Sequence, residues 1–273
     1  MFRLLKIWHL LSLDVVLGAM ICNIMFWKLS VDSSHIPIPV VTILGFSVWI
    51  VYILDRFFDN KKTSQSSTER HTFHKKHAKT LWICIGFSTL FCVCLLFFIP
   101  FKIFLLGIVT SFLTATYLFF ISKVSAQNPL QHYKEPITAL VYVIGVFGTA
   151  ILEKLTFWNI IIGLIFLLIA FQNLLLFSLS EFKQNPACHT LASNFGVKKS
   201  NNIITIITIL VILIGTYSRY FSVVEYQEKV FSVEILMSTI LLTINLLDSF
   251  FLTNDRYRWV GDGIFLLPLF IIL

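Results

Sequence analysis

The chain has 273 residues, of which 57% are hydrophobic and 13% are charged, and its formal net charge is +7. A soluble domain of this length cannot bury so much apolar surface, so the composition predicts that a lipid bilayer surrounds most of the chain. The Lys and Arg residues lie in short segments between apolar runs, which argues against a nucleic-acid partner and indicates a role in membrane orientation.

Apolar runs long enough to cross a bilayer recur along the chain, because a helical crossing needs about 20 mostly apolar residues. Each run must be helical, since lipid offers no partner to an unpaired backbone group. The sequence therefore predicts an all-α integral membrane protein with one polytopic transmembrane domain over residues 1–273. The nine predicted transmembrane helices cover residues 8–29, 36–58, 80–99, 102–122, 135–152, 157–181, 202–221, 231–251 and 259–273.

The positions of the basic residues predict the orientation of the chain. With the N-terminus cytoplasmic, 16 of the 21 Lys and Arg residues fall in cytoplasmic segments, as the positive-inside rule requires. We expect a multi-pass protein of a bacterial inner membrane, with its dense cluster of ionisable groups facing the cytoplasm.

Two aspartates, Asp55 and Asp59, lie one helical turn apart at the predicted cytoplasmic end of the second span. At 100° per residue both carboxylates share one helix face with Tyr52. Two such carboxylates can jointly hold Mg²⁺, which takes its remaining ligands from water and substrate phosphates. The alternative is that both are residues of the headgroup zone, paired with Arg56 or with a lysine of the following loop.

A second polar cluster marks the end of the sixth span. Asn173 lies deep in the apolar run, and Glu181 and Asn185 follow towards the cytoplasmic end. Pro186 disfavours a helical conformation at the residue before it, so the span is expected to end there. An asparagine inside a span normally faces the interior of the helix bundle. Asn173 is thus either part of a binding site or an interhelical hydrogen-bonding residue.

These two acidic motifs, in a chain of nine predicted spans, resemble those of the UbiA superfamily of intramembrane prenyltransferases. The family's first motif, an Asn-Asp start followed by DxxxD, is similar to residues 51–59, where Asp55 and Asp59 match and Val-Tyr replaces the start. The second motif, usually DxxxD, is matched only by Glu181 and Asn185. The resemblance extends over nearly the whole chain in architecture and over few specific residues.

The resemblance implies a UbiA-like helical bundle that transfers an isoprenyl group from a polyprenyl diphosphate to a lipophilic or aromatic acceptor. It implies that Asp55, Asp59 and Glu181 are the catalytic carboxylates. The first two would hold one Mg²⁺, and Glu181 with the weaker neutral ligand Asn185 would hold a second. Cations at this place stabilise the charge of the departing diphosphate. The residues expected to bind the diphosphate are Arg70, Lys123, Lys134 and Asn173.

Two other functions are compatible with the sequence. Asn185 lacks the negative charge of the family's aspartate and weakens the second cation site, which leaves room for a non-catalytic relative that binds lipid or assembles with partners. A small-solute transporter would use Asn173 and Asp14, which is predicted to lie midway along the first span. Against transport, the polar residues concentrate at one membrane face, whereas transporter sites lie near the midplane.

The charged residues at the inner end of the eighth span and in the loop after it have two possible roles. Asp248, Asp255, Arg256 and Arg258 either form pairs at the membrane interface or line the same cytoplasmic cavity as the two acidic motifs.

Overall fold

The structure is a computed structural model that describes residues 2–30, 36–62, 69–123, 128, 132–186, 190–222 and 224–273. The side chains of residues 2–5, 59–62, 69–71 and 122 lie outside this description. All regular secondary structure in the described ranges is helical. Eight helices are long and apolar enough to cross a membrane, which confirms the prediction of an all-α, multi-pass membrane protein.

Each of the first eight predicted spans corresponds to one long helix, whose ends lie within six residues of the predicted ends. The long helices are α2 (Leu13–Ser30), α3 (Ile38–Lys62), α5 (Ala78–Leu95), α6 (Phe101–Lys123), α7 (Lys134–Ile151), α8 (Phe157–Gln184), α10 (Val197–Phe221) and α11 (Glu225–Leu246). The short helices are α1 (Phe2–Leu10), α4 (Glu69–Lys76), α9 (Leu191–Phe195), α12 (Asp248–Leu252), α13 (Arg256–Gly263) and α14 (Leu269–Ile272).

The ninth predicted span, residues 259–273, is helical but divided. It consists of most of α13, a 3₁₀ turn and α14, and none of these pieces alone has the length of a bilayer crossing. The segment runs parallel to α2, because residues further along α2 contact residues further along the segment. The Sγ atom of Cys22 lies 3.4 Å from the Phe265 carbonyl oxygen, and further along α2 the Lys28 ammonium donates a hydrogen bond to the Ile272 carbonyl.

The first span begins later in the structure than the sequence predicts. Helix α1 ends at Leu10, and Ser12 adopts a left-handed conformation with φ of 55° before α2 begins. Asp14 therefore lies in the first turn of α2, where the helix dipole favours a carboxylate. The prediction that Asp14 lies midway along a span was wrong, because hydropathy does not register a break of two residues between helices.

Helix α8 is central to the bundle and packs against α7, α10 and α11. A fully buried polar group joins three of these helices, because Gln172 on α8 lies between Thr208 on α10 and Ser238 on α11. Gln172 Nε2 donates to Thr208 Oγ1 over 2.8 Å, and Ser238 Oγ donates to Gln172 Oε1 over 2.7 Å. All three side chains are at most 1% exposed.

We expect Gln172→Ala to lower the free energy of unfolding by about 1–2 kcal/mol, because two interhelical hydrogen bonds are lost and each contributes on average about 0.6 kcal/mol in a membrane protein. The neighbouring substitution Asn173→Ala is the control. The Oδ1 atom of Asn173 has no partner among the described residues, so Asn173→Ala should lower the free energy of unfolding by less than Gln172→Ala does. Unfolding of the purified variants in mixed micelles would measure both free energies. Equal losses of stability in the two variants would contradict this expectation.

Gly163 allows the close approach of α7 and α8. A Cβ atom at this position would lie 2.3 Å from Cε1 of Phe147, whose ring packs edge-on against Phe26 at 5.0 Å between centroids. The ring therefore has little freedom to move, and Gly163→Ala is expected to destabilise the protein by about 1–3 kcal/mol. Gly86→Ala is the matched control, because a Cβ there meets nothing within 4 Å. A thermal unfolding midpoint of Gly163→Ala equal to that of the control would contradict the expectation.

Helices α5 and α6 are consecutive in the chain but scarcely contact each other. Helix α5 packs against α3, and α6 packs against α7. Small side chains face the space between the two pairs, among them Cys92 on α5 and Gly107 and Ser111 on α6. A Cβ atom at Gly107 would meet nothing within 4 Å. The bundle is therefore loosely closed towards the lipid at this side.

Candidate functional site

A cavity of about 2200 Å³ lies inside the bundle. Its polar part is formed by the C-terminal ends of α3 and α8, the N-terminal end of α7, and the start of α13. Its apolar part continues between α3, α5, α6 and α7. On α3 alone, the lining extends from Val40 to Arg56, which corresponds to about 24 Å of helix at 1.5 Å per residue. The cavity thus combines a charged end with a long apolar channel.

Asp55 is held at the charged end by an ion pair with Lys134. The Nζ atom of Lys134 lies 3.0 Å from Asp55 Oδ1 and 3.3 Å from Oδ2. The hydroxyl of Tyr117 donates to the carbonyl oxygen of Lys134 over 3.2 Å and lies 3.1 Å from the Thr138 hydroxyl. These contacts join α3, α6 and α7, and they fix the first residue of α7 beside the aspartate.

Glu181 is paired with Arg258, which follows it by 77 residues. One guanidinium nitrogen of Arg258 donates to Glu181 Oε1, and Arg258 Nε donates to the Tyr257 hydroxyl over 3.1 Å. Burial works against the positive charge, but the Glu181 carboxylate outweighs it and raises the pKa of Arg258. Burial also raises the pKa of Tyr257 to about 12. Arg258 is therefore a permanent cation in the cavity, and Tyr257 is a neutral hydroxyl.

Two residues complete this part of the lining. Glu135 accepts a hydrogen bond from the backbone N–H of Leu191 over 3.2 Å, while its Oε2 atom is buried without a partner among the described residues. Its carboxylate interacts electrostatically with Lys134 and Glu181. Asn185 ends α8 in an extended conformation, and its N–H donates to the Glu181 carbonyl over 2.8 Å. Glu135 was not among the predicted site residues.

Positive and negative groups are balanced in the described part of the lining, which contains five carboxylates and five Lys or Arg side chains. The carboxylates are Asp55, Glu135, Glu181, Asp255 and Asp262, and the cations are Lys6, Arg56, Lys134, Arg256 and Arg258. A multiply charged anion would therefore meet little net attraction from these side chains alone.

The structure does not place all predicted site residues in this lining. Asn173 is 4% exposed and not among the lining residues, and it packs close to Gly261 instead. Lys123 is exposed, with its Nζ atom 5.5 Å from the centroid of the Phe119 ring, and it is also outside the lining. The side chains of Asp59 and Arg70 lie outside the described residues. Asp55, Lys134, Glu181 and Asn185 are the predicted residues that the cavity brings together.

The structure shows both roles expected for the charged residues near the end of the eighth span, which are ion pairing and lining of the cavity. Asp248 forms a pair with Lys183 over 2.8 Å, and this hydrogen bond lowers the pKa of the Asp248 carboxyl. Asp255, Arg256 and Arg258 line the cavity instead.

The donor chemistry of the lining suits Mg²⁺, which prefers carboxylate and amide oxygens and keeps part of its water. Asp55, Glu181 and Asn185 all supply such oxygens to the cavity. Both carboxylates carry a basic partner in the structure, so a metal ion would compete with Lys134 and Arg258. Released from the carboxylates, the two cations would be available to phosphate oxygens.

Comparison of the chain with models of protein families, with characterised proteins and with solved structures finds no match. The side chains that line the cavity are therefore the basis for a functional proposal.

Proposed function

We propose that this protein is an intramembrane prenyltransferase similar to the UbiA superfamily, which transfers an isoprenyl group from a polyprenyl diphosphate to a lipophilic or aromatic acceptor. The observation that carries the proposal is a single cavity with charged groups at one end and an apolar channel behind them. A polyprenyl diphosphate has the same division into a charged head and a long apolar tail. Asp55 and Glu181 from the two acidic motifs both line the charged end.

In this proposal the protein binds and orients the donor. Lys134 and Arg258 turn from their carboxylate partners to the diphosphate oxygens, and the channel between α3, α5, α6 and α7 holds the tail. Mg²⁺, held by Asp55, Glu181 and Asn185 and by Asp59 as the family resemblance implies, would neutralise the negative charge that develops on the departing diphosphate. The balanced charge of the described lining supports a need for added cations.

The proposal includes a topology of nine crossings with the N-terminus cytoplasmic, in a bacterial inner membrane. The final segment runs parallel to α2, from Phe265 beside Cys22 to Ile272 beside Lys28. This direction supports a ninth crossing made of short helical pieces, because the first and the ninth of nine crossings have the same direction. The basic residues at the charged end of the cavity support a cytoplasmic position for that end.

A non-catalytic lipid-binding protein is the second candidate. It is favoured by the ion pairs of Asp55 with Lys134 and of Glu181 with Arg258, because carboxylates that already have basic partners can be purely structural. In that case the apolar channel would hold a lipid and the charged end would have no diphosphate to bind. A transporter receives less support, since Asp14 lies in the first turn of a helix and Asn173 is outside the cavity lining.

Ligand-induced stabilisation of the purified full chain tests the two candidates. A ligand that binds only the folded state at 100 times its Kd stabilises that state by about 2.7 kcal/mol. We expect farnesyl diphosphate to do so in the presence of Mg²⁺, and to lose most of the effect with a chelator. Farnesol, which lacks the diphosphate, should stabilise less. Equal stabilisation by farnesol and farnesyl diphosphate, independent of Mg²⁺, would favour the lipid-binding protein.

A further inference from the structure

A second polar group lies at the wall of the same cavity, apart from the residues of the proposed diphosphate site. It is formed where α1 meets α2, and its first members are His9 and Asp14. His9 Nδ1 contacts Asp14 Oδ2, and Asp14 Oδ1 accepts a hydrogen bond from the Val15 N–H over 3.0 Å. Because a carboxylate oxygen accepts from Nδ1–H, this contact leaves the lone pair of the imidazole on Nε2.

The imidazole is also fixed in its plane. The ring of His9 stacks on that of Trp259, with centroids 4.4 Å apart and an angle of 21° between planes. His9 is 8% exposed and Asp262 is 5% exposed, and a ligand atom from each of His9, Asp14 and Asp262 lies within 4.8 Å of the others. His9, Trp259 and Asp262 all line the cavity. The imidazole is therefore held in one orientation at the cavity wall.

Tyr142 on α7 adds an independent observation that points to a ligand. Its side chain lines the cavity, yet its buried hydroxyl has no hydrogen-bond partner among the described residues. A buried hydroxyl without a partner is costly unless a ligand or water satisfies it. The Tyr142 hydroxyl interacts electrostatically with Asp262 and with Tyr52. Tyr52 lies three residues before Asp55 on α3, so the second polar group adjoins the proposed diphosphate site.

We propose that His9, Asp262 and Tyr142 form the acceptor subsite of the transferase, and that the acceptor is a phenol whose hydroxyl proton is taken by His9. This inference rests on the proposed prenyl transfer, which needs two substrates in one cavity. Asp14 is a positioning residue, because it acts through the imidazole. The Tyr142 hydroxyl donates a hydrogen bond to the bound acceptor.

The transfer needs no reactant other than the donor and the phenol, with His9 as the proton acceptor. The bond between the allylic carbon and the diphosphate oxygen breaks, and its electron pair leaves with the diphosphate. The phenol oxygen forms a new bond to the allylic carbon, while its proton passes to Nε2 of His9. The product is a prenyl aryl ether, and the imidazolium formed is stabilised by the Asp14 carboxylate.

The test uses the full chain in lipid nanodiscs with farnesyl diphosphate and Mg²⁺. The probe acceptor is 4-methoxyphenol, and 1,4-dimethoxybenzene is its matched analogue without a hydroxyl. We expect the ether from the first probe and no product from the second. His9→Asn should lower kcat by about 10²–10⁴-fold, the usual contribution of a general base, with unchanged stabilisation by the donor. His77→Asn is the control, because His77 is exposed and outside the cavity lining.

A purely structural role of His9 is distinguished by chemical rescue. Free imidazole should restore turnover of His9→Gly, since the cavity has room for it, and should leave the wild type unchanged. Asp14→Asn should lower kcat with no change in KM for the donor. Wild-type turnover by His9→Asn would overturn the inference, as would a wild type that binds the donor but leaves 4-methoxyphenol unchanged. Failure of the wild type to bind the donor would instead contradict the proposed function, and the acceptor subsite that rests on it.

Discussion

Asp55→Asn is expected to weaken Mg²⁺-dependent binding of farnesyl diphosphate by about 100-fold, which corresponds to about 2.8 kcal/mol. The substitution keeps the size of the side chain but removes the negative charge that a hard cation needs. It also leaves Lys134 without the carboxylate that lies 3.0 Å away, so weak binding that does not depend on Mg²⁺ should persist. Titration of the unfolding midpoint with the donor, at fixed Mg²⁺, would measure the change.

Asp248→Asn is the matched control for this experiment. Asp248 also forms an ion pair with a lysine, Lys183, at 2.8 Å, but it does not line the cavity. The control should bind the donor with wild-type affinity. If Asp55→Asn kept the full Mg²⁺-dependent stabilisation, the assignment of Asp55 as a metal ligand would be wrong.

Glu181→Gln is expected to lower the free energy of unfolding by about 3 kcal/mol, because it leaves a buried guanidinium without its counter-charge. The pair is asymmetric, since the side chain of Arg258 is 17% exposed and that of Glu181 is 38% exposed. Arg258→Met should therefore lower the free energy of unfolding by less than Glu181→Gln, because the Glu181 carboxylate left behind retains more contact with water. Equilibrium unfolding of the purified variants would give both values.

The double variant Glu181→Gln/Arg258→Met provides the control. It removes both charges together, so it should recover most of the stability lost in Glu181→Gln. The double variant should still fail to bind the donor, because it lacks both the proposed metal ligand Glu181 and the proposed phosphate-binding cation Arg258. Losses that simply add in the double variant would show that the two side chains do not stabilise each other.

The transmembrane helices could be predicted from the sequence because a bilayer imposes a minimum apolar length on each crossing. Their ends were less predictable. Helix α11 begins at Glu225 and not near residue 231 as predicted, so Glu234 lies in the third turn of the helix and not near the start of the span. Its side chain is fully buried, and neither carboxylate oxygen has a partner among the described residues. An ionised carboxylate at such a place is very costly, so the side chain is expected to be a neutral acid. Hydropathy averaged over a window does not reveal this.

The acidic residues of the site could also be found from the sequence, because Asp55 and Glu181 stand out at the ends of apolar runs. The basic residues that pair with them could not be found in this way. Arg258 follows Glu181 by 77 residues and Lys134 follows Asp55 by 79, and only the packing of α7 and α13 brings each cation to its carboxylate. The place of His9 at the cavity wall was missed for the same reason, since its neighbours Trp259 and Asp262 lie at the other end of the chain.

The loose contact between α5 and α6 would affect measurements of the proposed prenyl transfer. A cavity that communicates sideways with the bilayer takes up its ligand from the hydrocarbon phase, so the effective concentration is the mole fraction of substrate in the membrane. Adding inert phospholipid at constant total substrate should then slow the reaction, although the bulk molarity of substrate has not changed. Constants for this protein would be expressed in mole per cent, and values obtained in different detergents would be comparable only after correction for micelle dilution.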